Sequence, residues 1–275
     1  MGFYQNLGAG DVDPFTTQLE EQGYLVEILH IASGKMAVFP SWITDFSDSF
    51  TSNWNSETVF GRNDPIGTFQ NTSRTISVSL GIPSFSVVEA RENMHQLEHL
   101  IANLYPTYRV STAGVHAMHS SPLVKVKFAN LIKNASKLKN ALNVADGGLS
   151  GWISNVNFTP NLESGMHHPS PNMSQADLGH YNGTHAGGKQ MNASHTFLPK
   201  VIDISFTLNV VHEHHLGWGE SQNWLGGESK NFPYGIETIS GKQHMGVAGQ
   251  ETTTRTRGKQ AQNFINQIFV PKGRV

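Results

Sequence analysis

The sequence contains no cysteine, which excludes disulfide bonds and every zinc or iron–sulfur site that is built on cysteine thiolates. It also lacks long hydrophobic runs, since no window approaches the roughly 18 consecutive apolar residues of a membrane-spanning helix. The N-terminal stretch Met1–Asn6 has neither a basic start nor an apolar segment, so we expect no signal peptide. These absences predict a protein made in the cytoplasm that does not insert into a membrane.

Charged residues are scarce as well. Asp, Glu, Lys and Arg make up 15% of the 275 residues, against about 25% in ordinary soluble domains. Glycine, at 27 residues, and asparagine take up much of the difference. A surface solvated by amides and hydroxyls is typical of a subunit that its neighbours cover, although a monomer with long polar loops would have the same composition.

The few charges are unevenly distributed, and the net charge of −2 argues against a dedicated nucleic-acid binder. Residues 1–60 contain eight acidic residues and one base, Lys35, whereas residues 226–275 contain seven bases and three acids. Opposite patches of this kind steer and register the docking of subunits. Pairing of the two ends within one chain is the alternative that the sequence leaves open.

Alternating apolar and polar residues predict half-buried strands with one wet face, which favours an antiparallel sheet. The predicted strands are 25–31 and 36–39, which turn at Ser33-Gly34, and then 74–82, 123–131, 149–158 and 201–211. In the run 149–158 the alternation places Trp152 on the core face together with Val156 and Phe158.

One amphipathic helix is predicted from Ser86 to Tyr105. Ser86 and Glu89 have the spacing of a capping box, and Pro106 ends the helix because it has no N–H to donate. The apolar stripe that should pack on the sheet consists of Ala90, Met94, Leu97, Ile101 and Leu104.

The chain divides into three predicted segments. Residues 1–22 are expected to form an extended N-terminal arm, and residues 23–216 a β domain with a polar insertion at 164–195. Residues 217–275 are a glycine-rich C-terminal extension. We expect residues 1–22 and 217–262 to become ordered only in an assembled particle, because they hold too little apolar area to offset the entropy cost of ordering.

Histidines offer the clearest candidate for chemistry. His212 and His214 would share one face of a strand and could bind a metal, with His167, His168 or His180 as a third ligand. The second histidine comes too soon for the helical pattern of zinc proteases, and no nucleophilic elbow or phosphate loop is present. We therefore predict no catalytic residue, no metal site and no cofactor, and keep a metal hydrolase as a minor alternative.

Four tryptophans could instead form a glycan-binding surface. They are Trp54, Trp152, Trp218 and Trp224. A glycan-binding β-sandwich therefore remains a second alternative, although the expected burial of Trp152 counts against it.

The run 43–66 is the most distinctive stretch of the sequence. It spaces four aromatic residues among Ser, Thr, Asn and Asp and then turns at Arg62-Asn63-Asp64-Pro65. Aromatic side chains can anchor a loop to a protein body while small polar residues bond its backbone. We therefore expect an extended loop over these residues.

Over about Ala37 to Trp218 the chain resembles the tail-tube fold of contractile-tailed bacteriophages, and more closely their tube-initiator and baseplate-hub proteins. The elements that carry the resemblance occur in this order: Ile43–Ser47, Trp54–Glu57, Gly61–Ile66, Thr72–Ile76, the Glu89-Ala90 helix ending at Leu104-Tyr105-Pro106, Ser121–Val124, Leu149–Ile153 and Leu198–Ile202.

The resemblance implies two antiparallel sheets in a sandwich or partial barrel with one flanking α-helix. It implies a structural subunit of the virion tail, in the baseplate, that forms a homo-oligomeric ring, most often a hexamer. The tail tube protein would polymerise on this ring, other hub proteins would contact it, and tape-measure protein and DNA would pass through it without sequence-specific binding. The loop 45–64 would be the intersubunit interface, through Asp45, Phe46, Phe50, Trp54, Phe60, Arg62 and Asp64.

Overall fold

The structure is a computed structural model that describes residues 14–22, 24–110, 114, 116–134, 143–167, 197–220, 224–226 and 232–234. No helix in these ranges is long and apolar enough to cross a membrane. The elements are α1 (Pro14–Gln22), β1 (Leu25–His30), β2 (Met36–Pro40), β3 (Trp42–Glu57), β4 (Ile66–Pro83), α2 (Val87–Ala102), β5 (Thr107–Val110), β6 (His116–Ser120), β7 (Val124–Lys127), α3 (Val144–Gly147), β8 (Leu149–Pro160), β9 (Met166–His167), β10 (Leu198–Pro199) and β11 (Val201–Val210).

Seven strands form one antiparallel sheet in the order β2-β1-β7-β8-β11-β4-β3. Each strand predicted from alternation lies in this sheet. β9 with β10 and β5 with β6 form two separate two-stranded sheets. The prediction of a mainly β, antiparallel fold with a flanking helix is confirmed.

The core lies on one face of the seven-stranded sheet. Alternate residues of β4 and β11, such as Ile76, Leu80, Ile204 and Leu208, are fully buried there, in one cluster with residues of β1 and β2. Seven strands at about 4.8 Å spacing span roughly 30 Å, whereas a helix is only about 10 Å wide. Helix α2 packs against β2 and β10, so it covers only part of this face.

Helix α2 begins at its predicted cap. Ser86 Oγ accepts a hydrogen bond from the Glu89 N–H at 3.1 Å, and the Glu89 carboxylate accepts from the Phe85 N–H at 2.7 Å. A second hydrogen bond to this buried carboxylate comes from the Thr16 hydroxyl in α1 at 2.7 Å. The predicted extended arm is therefore wrong over residues 14–22, because this segment forms a helix tied to the cap; residues 1–13 lie outside the described ranges.

The buried face of α2 differs from the predicted apolar stripe. Leu97 and Leu100 are buried together with the polar Asn93 and Gln96, whereas Ile101 is exposed. Gln96 is buried because its Oε1 accepts the Val38 N–H at 3.0 Å. The helix thus covers the edge strand β2 with an amide as well as with apolar side chains.

Trp152 is 47% exposed, so its predicted place in the core is wrong. The cause is a β-bulge, where Asn155 has φ 57° and two residues of β8 lie opposite one residue of β11. The extra residue reverses the alternation. Ile153 faces the core before the bulge, and Val156 and Phe158 face it afterwards.

The segment boundaries at 23–216 and 217–275 stay predictions. In the insertion 164–195, residues Met166–His167 pair with Leu198–Pro199, and residues 168–196 lie outside the described ranges. Most of the C-terminal extension also lies outside them.

Candidate assembly interface

Residues 43–66 belong to a β-hairpin, so the predicted loop is wrong. β3 and β4 pair from Trp42↔Gly81 to Glu57↔Ile66, and only residues 58–65 form the turn. The small polar residues of this run favour a loop in the sequence pattern because they interrupt any apolar alternation. In the hairpin each strand supplies the other's backbone partners, and cross-strand pairs such as Asn53 Nδ2 to Asn71 Oδ1 at 2.7 Å add to them.

The outer half of this hairpin projects from the body, and we call residues 51–73 the arm. Its base is the pair Phe50↔Arg74, where Arg74 is the first buried residue along β4. From Phe50 to Glu57 the arm extends by roughly 23 Å. Every residue of the arm is exposed except Asn53, which is half-buried.

The arm carries exposed apolar side chains. Trp54 is 62% exposed and packs edge-to-face on Phe69 at 5.4 Å between ring centroids, and Phe60 in the turn is fully exposed. Val59 and Ile66 are exposed beside them. A two-stranded hairpin is marginally stable in water by itself, and apolar patches of this kind mark contact surfaces.

The two edges of the seven-stranded sheet are unlike. At β2, Gln96 binds the outward Val38 N–H, and Pro40, two residues on, has no N–H. At the other edge, β3 pairs only with β4 among the described strands. Its sixteen residues therefore present a row of backbone groups to a partner.

The predicted interface residues divide into three groups. Trp54, Phe60, Arg62 and Asp64 lie exposed on the arm or its turn, and Asp45 is exposed near the start of β3. Phe46 instead packs against the core, and Phe50 packs at the arm base. The sequence pattern does not identify Phe69 and Ile66 as interface residues, because this part of β4 has no apolar alternation. Pairing of the hairpin places Phe69 opposite Trp54.

Arg74 and Asp48 form a buried ion pair at the arm base. Arg74 Nε donates to Asp48 Oδ1 at 3.0 Å and Nη2 donates to Oδ2 at 2.7 Å, with 1% and 2% of the two side chains exposed. Phe50 and Phe232 flank the guanidinium at 5.0 and 5.7 Å. Tyr234 donates its hydroxyl to Asp48 Oδ2 at 3.2 Å.

This constellation, which we call the clasp, fixes a short segment of the C-terminal extension onto the hairpin. Phe232 and Tyr234 are the extension's contributions, and they lie far in sequence from Asp48. The clasp was not predicted from the sequence. The one indication of it is an isolated arginine on the otherwise apolar face of β4.

The histidine cluster lies beside the clasp. His212 packs on Phe232 at 5.8 Å and on His214 at 6.1 Å between ring centroids. Burial, followed by the positive charge of Arg74 and by His214, lowers the pKa of His212 to about 4. His212 is therefore neutral at pH 7.

The alternative metal site, with His167 as the third ligand beside His212 and His214, is not assembled. That residue lies next to β10, before β11 begins, where its Nε2 is 3.0 Å from the Ser84 carbonyl oxygen, whereas His212 follows the far end of β11. Glu213 is bound by Ser150 and Lys125. No group of three or more possible ligands converges among the residues that the structure describes; His168 and His180 lie outside them.

A second hairpin, β5–β6, also stands apart from the main sheet. Tyr108 lies opposite Met118, and Val110 lies opposite His116. These three apolar side chains are 61%, 67% and 59% exposed. The hairpin therefore carries an apolar surface that the described part of the chain does not cover.

No protein-family model matches the sequence, and no curated protein matches it. Among solved structures the chain is similar to one from the tail of an empty GTA particle, computed with helical refinement in C6 symmetry. The match covers 68% of this chain and 91% of that chain, at 8% sequence identity and a TM-score of 0.28.

Proposed function

We propose that the protein is a structural subunit of a phage tail that assembles into a ring through its arm. The observation that carries the proposal is the arm itself, which projects about 23 Å and exposes Trp54, Phe60 and Phe69 beside an open sheet edge. A hairpin of this kind gains stability when a neighbouring subunit covers it.

The finer role follows the sequence resemblance. The subunit would initiate the tail tube in the baseplate as a ring on which tube subunits stack, with tape-measure protein and DNA passing through its lumen. The resemblance also favours six copies per ring. Asp45, Arg62 and Asp64 would contribute polar contacts at the rim of the interface, where charged groups set register more than affinity.

The test replaces exposed aromatic residues of the arm. Trp54→Ala and Phe60→Ala should each weaken self-association by roughly tenfold or more, since large aromatic residues carry much of the energy of an interface. The association constant can be measured by analytical ultracentrifugation, with electron microscopy of any rings.

Leu162→Ala is the matched control, because Leu162 is 69% exposed outside the arm. This variant should associate like the unchanged protein. All variants should have the circular dichroism spectrum of the unchanged protein, which shows that they are folded. A protein that stays monomeric at every concentration and takes no place in tails would contradict the proposal.

A further inference from the structure

We propose that the arm and the β3 edge of one copy bind the β5–β6 hairpin of a second copy. This inference rests on the proposed ring assembly and names the surface that receives the arm. The contact would be head-to-tail, because it joins two different surfaces, and repeated contacts of this type close into rings.

The closed β2 edge provides the first argument. Direct joining of the β3 edge of one copy to the β2 edge of the next would continue the sheet, but Gln96 already binds the Val38 N–H and Pro40 offers none. Such pairing would require α2 to move away. The complement of β3 must therefore be a different strand.

β5–β6 has the free edges that this complement requires. β5 and β6 pair with each other alone among the described strands, so each retains one open edge. The other small sheet, β9–β10, has only two residues in each strand, and its Leu198 is buried. Addition of a strand to an open edge supplies backbone hydrogen bonds, and the side chains supply specificity.

The two surfaces also match in side-chain chemistry. The arm presents Trp54, Phe60 and Phe69, and β5–β6 presents Tyr108, Val110 and Met118, all more than half exposed. Contact between the arm and β5–β6 would remove both sets of apolar side chains from water.

Charge favours the same pairing. The arm holds two exposed carboxylates, Glu57 and Asp64, and one base, Arg62. The segment 107–120 contains Arg109 and two histidines but no carboxylate. Attraction between a net negative and a net positive surface favours this contact over arm-to-arm pairing of two copies.

A photo-crosslinking experiment reads the contact directly. Phe60 is replaced by p-benzoylphenylalanine, which perturbs no packing within the subunit because Phe60 is fully exposed there. Isotopically labelled and unlabelled copies are mixed, assembled and irradiated, and crosslinked peptides of mixed label identify contacts between chains. We expect these crosslinks to fall within residues 105–120 of the second copy.

Crosslinks to the arm of another copy, to β2 or to residues 235–275 would each overturn the proposal, as would assembly without any crosslink between chains. Met118→Asp provides the second measurement and should reduce association by about tenfold. Leu162→Asp, a change at a site of similar exposure, should not.

The two proposals can fail separately. If the arm variants abolish association while Met118→Asp assembles normally, ring assembly stands and the β5–β6 contact is wrong. If the unchanged protein never associates, both are wrong.

Discussion

Arg74 and Asp48 bind each other through two hydrogen bonds at the point where the buried sheet becomes the exposed arm. The two side chains are almost completely buried, and Tyr234 donates to the same carboxylate. The pair therefore joins three parts of the molecule: the body, the arm and the C-terminal extension.

Asp48→Ala should destabilise the protein by roughly 3 kcal/mol, because removing one partner leaves the buried Arg74 charge uncompensated. Urea denaturation measures the change in the free energy of unfolding. Asp45→Ala, three residues earlier and exposed, is the control and should change stability by less than about 0.5 kcal/mol. Equal effects of the two substitutions would show that the ion pair does not stabilise the fold.

Tyr234→Phe should cost about 1 kcal/mol, since it removes only the hydroxyl that donates to Asp48. Tyr105→Phe, at an exposed tyrosine, should have no effect. In the Asp48→Ala background the Tyr234 substitution should lose its effect, because the acceptor is gone. Additive changes would argue against the contact.

His212 should make stability fall in acid. Its pKa is lowered from 6.5 to about 4 in the folded protein, chiefly by burial. Between these two pKa values His212 is protonated in the unfolded chain but not in the folded protein. The free energy of unfolding therefore declines as the pH falls from 6.5 towards 4, and His212 causes no further decline below that range.

His212→Phe should reduce this acid-dependent loss, as seen in urea midpoints measured between pH 4 and 7. Part of the slope should remain, because burial also lowers the pKa of His30 and of His99. Identical pH profiles for the variant and the unchanged protein would contradict the assignment.

Asn155→Val should destabilise the protein by roughly 1–2 kcal/mol, because a β-branched residue fits poorly at φ 57°. Asn157→Val, two residues on in the same strand, is the matched control and should be nearly neutral. Asn155→Gly should be tolerated, since glycine adopts positive φ readily. Thermal unfolding, monitored by circular dichroism, measures the stability of the three variants. An equal loss of stability in both valine variants would disprove the role of the bulge.

Periodicity in the sequence determined the secondary structure of the body. The alternation of β4 and β11 follows the period of two between side chains of a strand, and the cap at Ser86 is a contact within the first turn of α2, so a short window contains the information. The same reasoning predicted a mainly β, antiparallel fold before any pairing was known.

Tertiary structure decided the features that depend on a partner from elsewhere in the chain. Trp152 faces solvent because a bulge shifts the register of β8 against β11, and Gln96 is buried because β2 needs an acceptor at its edge. The polar run 43–57 is a strand only because 66–81 pairs with it. Local patterns carry no record of such pairings, since a strand's partner supplies its hydrogen bonds.

The candidate interface shows the same division. The sequence by itself determined which residues of 43–66 are aromatic or charged, and so which could form a contact. Only the fold placed Phe46 against the core, Phe50 at the base and Trp54 and Phe60 on the exposed arm. It also brought Tyr234 to Asp48 across 186 residues, because burial of the Arg74 charge requires partners that only a folded chain can gather.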